Sequence, residues 1–152
     1  SDLGGMNEAE FLAAVGERFE LTDGAGAEPR EKGSFGMYLG GTWYALRLKS
    51  PSGTGDMDPV SVLDLSVFAK NLLEPVLGIG DQKKDERIDF IGGADSVVKI
   101  ERRVDREGGV GFTFYPVSVD ELLDVADAGM IMPPKSTWFS PKLRSGLLIH
   151  QF

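Results

Sequence analysis

At 152 residues the chain is the size of one ordinary domain. Its 41% hydrophobic and 26% charged residues suit a soluble globular protein, and its net charge of −8 sets phosphate repulsion against broad nucleic-acid binding. Having no cysteine, it excludes disulfides, thiolate metal sites and a cysteine nucleophile, and no apolar run approaches the ~20 residues of a membrane-spanning helix.

In chain order, Ser1-Asp2-Leu3-Gly4-Gly5 carries no charged and apolar leader pattern, and Met6 sits within a helix-start pattern. The opening therefore reads as a piece cut from a longer protein. Asn7-Glu8-Ala9-Glu10 has the form of a capped helix start, with Asn7 as cap and Glu10 at the third helical position. Phe11, Leu12, Val15 and Phe19 continue it as an apolar stripe at helical spacing. Gly24, Gly26 and Pro29 mark 22–33 as a surface loop. Phe35 to Leu39 and Thr42 to Lys49 flank Gly40-Gly41, the pattern of a tight β-hairpin.

After a loop at 51–59, Asp58-Pro59 predicts a capped helix start, and the helix is expected to run from about Pro59 to Glu74. Val62, Leu65, Phe68, Ala69 and Leu72 form its apolar side, and Pro75 and Gly78 are expected to stop it. A short strand is predicted at Ile88 to Ile91, a helix from Ala94 to about Asp105 and a strand from Gly111 to Tyr115. A helix follows from Ser118 to Ala128, with the box Ser118…Glu121, and a terminal strand from Leu147 to Gln151. Such elements predict an α+β fold (α/β mixed): a mixed β-sheet with a hairpin and about four helices packed on it, as one domain over 1–152.

Candidate chemistry is sparse. Gly78-Ile79-Gly80 lacks the preceding strand and following helix of a dinucleotide loop and reads as a helix stop. Ile91-Gly92-Gly93 leads into a helix, but Asp95 in the first turn would repel an anion, so it reads as a turn with capping. Asp120, Asp124 and Asp127 share a helical face and read as a solvated acidic surface, since a hard-cation site also needs neutral oxygens from a shaped loop. Asp56-Met57-Asp58 is no stronger as a cation site. The sole histidine, His150, cannot be tied to any particular serine. No catalytic set, metal site or cofactor is expected.

The end of the chain differs in kind. Beyond Asp127 there is no further carboxylate, while Lys135, Lys142, Arg144 and His150 follow. Pro133-Pro134 favours an extended backbone that presents Lys135, Ser136 and Thr137, then Trp138 and Phe139, then Lys142. Ammonium groups, hydroxyls and free amides are the groups that hold phosphate or carboxylate. Prolines and aromatics can equally pack a loop over the sheet with the lysines in water.

"MPPKSTWFSPKLRSGLLI", preceded by "VADAGMI", closely resembles the C-terminal signature of the uncharacterised bacterial and archaeal proteins grouped as domain of unknown function 1015. "LLEPVLGI" and "FYPVSVDELLDVADAG" fit the same family in the same order. The resemblance implies a C-terminal domain of a longer protein whose N-terminal half carries an Asp-Gly-His-His-Arg motif. That motif is absent here, so catalysis, nucleotide binding and DNA partitioning do not carry over. Tyrosine is usual in the family where this chain has Trp138 and Ser140, and proline is frequent at Arg144.

Two functions are expected on these grounds. In one, a non-catalytic domain in the cytoplasm lends Lys135, Ser136, Thr137 and Lys142 to an anion-binding cleft shared with its own N-terminal domain, and Trp138 and Phe139 wall the cleft from water. In the other, the 130–142 loop docks a neighbouring domain or a second copy, giving a homodimer in the latter case. A small anionic ligand belongs to the first. Neither calls for nucleic acid or a membrane.

Overall fold

The structure, a computed structural model, describes residues 3–49, 58–93 and 95–137. Helix α1 (Glu8–Arg18) begins as its sequence predicts: the Asn7 side chain accepts from the Glu10 amide and the Glu10 carboxylate accepts from the Asn7 amide. It ends where Phe19 turns extended and opens strand β1 (Phe19–Asp23), which the apolar spacing had assigned to the helix stripe. Phe19 is fully buried in either reading. Pairing with a distant strand, Phe19 opposite Leu48, converts the segment to β.

Strands β2 (Ser34–Leu39) and β3 (Thr42–Leu48) form the predicted hairpin. Gly40 and Gly41 have φ of 55° and 83°, the two positive angles that a two-residue I′ turn demands and that matches strand twist. Strand β4 (Gly111–Phe114) completes a sheet of order β1-β3-β2-β4, in which every pairing is antiparallel.

Central strand β2 is buried from Phe35 through Leu39 because both its faces are covered. Phe35, Met37 and Leu39 point to the main core, with Phe11 and Val15 of α1 and Phe68, Leu72 and Leu77 from the middle of the chain. Phe68 lies against Phe35, Phe112 and Phe114, with ring centroids 5.1, 4.7 and 5.0 Å away. The opposite face carries Gly36, Tyr38 and their β4 partners Thr113 and Gly111. Helix α4 (Ser96–Glu107) covers part of it, and the Thr113 hydroxyl donates to the Ala27 carbonyl of the 22–33 loop. A Cβ on Gly111 would sit 2.2 Å from Ile100 Cγ2, so α4 can lie this close only over a glycine.

The predicted 59–74 helix is displaced. Asp58 does cap, accepting from the Val60 and Ser61 amides, but only a turn follows it. Helix α2 (Asp64–Phe68) then runs through a π turn (Ala69–Leu73) into α3 (Glu74–Leu77) without a break. Pro75 does not stop the chain: the helix continues through it, directly after the π turn, as far as Leu77. Gly78, at φ 65°, does.

No strand forms at 88–91. The Ile88 amide donates to the Asp85 carbonyl and the Phe90 amide to the Asp89 carboxylate, and these local turns take up donors that a ladder would need. Helix α5 (Val119–Asp127) carries the predicted Ser118–Glu121 box. The α+β fold stands, with α2, the π turn and α3 counted as one of four helices. The expected terminal strand at 147–151 lies outside the described residues, as do His150, Asp56 and Met57. No helix among the described residues is long and apolar enough to cross a membrane.

Candidate functional site: the α5 face, the turn after it and the basic side of α4

Helix α5 ends in a Schellman motif. The Met130 amide donates to Val125 O at 3.0 Å and the Gly129 amide to Ala126 O at 2.9 Å, with Gly129 left-handed at φ 66°. This motif sets the direction in which the chain leaves. Val125 is buried, but Val119 is 70% exposed, Leu123 53% and Ile131 87%, and Met130 is also exposed. Val119 and Leu123 are four apart and so share a side of the helix. Asp120, Asp124 and Asp127 are exposed on the same helix, in line with the solvated acidic surface expected for them. Among the described residues no cluster of three metal-ligating side chains forms.

The segment that follows is a turn rather than an extended run. Ser136 donates to Pro133 O through both its amide (3.4 Å) and its hydroxyl (2.7 Å). Pro134 takes the second position, which suits its fixed φ, and Lys135 the third at φ 59°. Lys135 is the one non-glycine residue with positive φ among the described residues, a conformation that favours glycine. Lys135 and Thr137 are exposed and the Ser136 hydroxyl is engaged by a backbone carbonyl. Trp138, Phe139 and Lys142 lie outside the described residues.

Two surface hollows of about 340 Å³ each are present, one beside α5 and one on α4. The first is bounded by Lys32, Pro59, Val62, Glu121, Asp124 and Asp127. Burial pushes the Glu121 carboxyl up, but the Lys32 ion pair and the Ser118 amide outweigh it and hold the group below its usual range. Behind this hollow stands Asp64, which the sequence reading passed over. The residue is 9% exposed, and its carboxylate accepts the Gly33 amide through both oxygens, at 3.0 and 3.1 Å. Desolvation raises its pKa, against the lowering effect of the Gly33 amide and Lys32. The one signal in the sequence was an acid between Leu63 and Leu65.

The second hollow is bounded by Ile91, Lys99, Arg102, Arg103 and Arg106. Two sheet aromatics set the rotation of α4. Trp43 Nε1 donates to Glu101 at 2.8 Å and the Tyr38 hydroxyl to Asp105 at 2.9 Å. Those bonds turn Glu101 and Asp105 toward the sheet and leave Lys99, Arg102, Arg103 and Arg106 on the outward side. Sequence reading placed no site here, because its charge inventory followed the end of the chain.

An antiparallel sheet with helices on it and two charged hollows defines a small α+β domain with no recognisable catalytic constellation among its described residues. Residues 1–66 match the family model described as a protein of unknown function (DUF1015). The matched range precedes the segments that carried the resemblance. No curated protein and no solved structure matches the chain.

Proposed function

We propose that the chain is a non-catalytic docking domain, the C-terminal part of a longer cytoplasmic polypeptide, and that it binds that polypeptide's N-terminal part through α5 and the turn after it. The observation that carries the reading is the exposure of Val119 and Leu123 on α5, and of Ile131 just beyond its end, where Val125 of the same helix is fully packed. Large side chains gathered on one exposed face mark interaction surfaces.

Charge favours another domain over a second copy. A two-fold contact on α5 would set Asp120, Asp124 and Asp127 against themselves, and like charges across an interface are costly. The partner surface is therefore an apolar groove with a basic rim. Titrating this chain with the N-terminal part in trans tests the idea. Burying a leucine-sized side chain is worth about 1.5–3 kcal/mol, so Leu123→Lys or Ile131→Lys should weaken association at least ~10-fold. Unchanged affinity would refute it, and concentration-dependent self-association would put a second copy in place of the domain.

The left-handed Lys135 supports a second reading, in which Lys135, Ser136, Thr137 and Lys142 hold an anion at the same junction. Strained backbone is kept where a side chain must be aimed. Lys135→Ala in the full-length protein should then weaken anion binding while leaving the domain association intact.

A further inference from the structure

We infer that the outward side of α4 is a binding site for a compact dianion of the phosphate-monoester kind, with Lys99, Arg102, Arg103 and Arg106 as its cations. The site is separate from the α5 face and does not depend on it.

Charge balance leads to this class. The chain as a whole has an excess of acid, with 24 Asp and Glu against 16 Lys and Arg. Around this hollow the balance is reversed. Arg103 pairs with Asp89 and Glu107, and Arg106 with Glu107. Lys99 and Arg102 have no ion pair among the described residues. Four cations thus meet two carboxylates, and two positive charges are left over. A dianion would neutralise them.

Helix geometry makes the arrangement a selected cost. Lys99 with Arg102 and Arg103 with Arg106 are three apart, while Lys99 with Arg103 and Arg102 with Arg106 are four apart. Each is a like-charge pair on one helical face, which weakens a helix. The Trp43–Glu101 and Tyr38–Asp105 bonds hold the opposite side of the helix to the sheet, so the basic stripe faces outward. Arginine forks grip clustered oxygens bidentately, and the volume of about 340 Å³ is at the small end for ligand pockets. Ile91 supplies an apolar wall, so an ester with a carbon skeleton fits better than a bare ion.

The test is a titration of the 152-residue chain with inorganic pyrophosphate and phenyl phosphate at low salt, followed on arginine side-chain Nε–H resonances. Saturable shifts at Arg102 and Arg103 are expected for both probes. Lys99→Gln and Arg102→Gln should each weaken binding by about tenfold, the usual scale of a charged hydrogen bond, and Arg102→Lys should recover part of the loss. Backbone amide spectra check that each variant remains folded, and Lys70→Gln, at an exposed lysine of the π turn, serves as the unaffected control. Shifts that do not saturate, or equal affinity in the variants, overturn the site. An equal response to succinate overturns the phosphate assignment. Tighter binding of a single-stranded oligonucleotide, with the same dependence on Arg102, overturns the small-ligand assignment.

Discussion

Asp64 offers the sharpest check on how this fold is held, because one side chain both joins two segments and senses pH. Its two oxygens share the Gly33 amide and so anchor the 22–33 loop to the first turn of α2. Asp64→Ala strips the acceptor from a part-buried N–H, which costs about 1–3 kcal/mol. Asp64→Asn keeps one oxygen and no charge, so its loss at pH 7 should be under half that of the alanine variant. The pH dependence has a definite sign. Desolvation raises the folded pKa above the unfolded value, so the folded state holds the proton more tightly. Wild type therefore loses stability relative to Asp64→Asn as pH rises from the ordinary carboxylate range near 4. The loss is complete once pH passes the folded pKa. Depressed groups such as Asp81, Asp85 and Glu121 give the opposite slope, but they are common to both proteins and cancel in the difference. Urea unfolding of the three proteins at pH 4, 5.5 and 7 reads this directly. A stable alanine variant, or a wild-type advantage over Asp64→Asn that grows as pH rises, would refute the assignment.

Three further outcomes are expected. Gly111→Ala puts a methyl 2.2 Å from Ile100 Cγ2 and should cost about 1–3 kcal/mol in thermal unfolding, with Tyr38 and Trp43 fluorescence reporting the displaced α4. Phe68→Ala removes the ring that touches Phe35, Phe112 and Phe114 and should cost about 3–5 kcal/mol in chemical denaturation. Lys135→Gly relieves a left-handed side chain and should raise the unfolding midpoint, by about 1 kcal/mol at most, whereas Lys135→Ala should not.

What could be read in advance was local. Asn7 with Glu10, Ser118 with Glu121 and Gly40-Gly41 each act within four residues, and each forms as its spacing requires. Misreadings arose where a remote partner overrules the local pattern. Phe19 has helical spacing from Val15, yet it pairs with Leu48. At Ile88 to Ile91 the override is local instead: the Ile88 amide donates to the Asp85 carbonyl and the Phe90 amide to the Asp89 carboxylate. Of the candidate site, the sequence singled out Met130, Lys135, Ser136 and Thr137 by composition. It could not show Val119 and Leu123 as uncovered, because exposure depends on what packs above a helix.

Composition and short-range pattern settled the class of molecule: an acidic, cysteine-free α+β domain whose apolar residues suffice for one core. Tertiary structure decided which charges face outward. The spacing of Lys99, Arg102, Arg103 and Arg106 gathers them on one side of α4, but only the grip of Trp43 and Tyr38 on Glu101 and Asp105 turns that side away from the sheet. The physical reason is that helix rotation is fixed by bonds to residues some sixty positions away, and no window of the sequence contains both ends of such a bond.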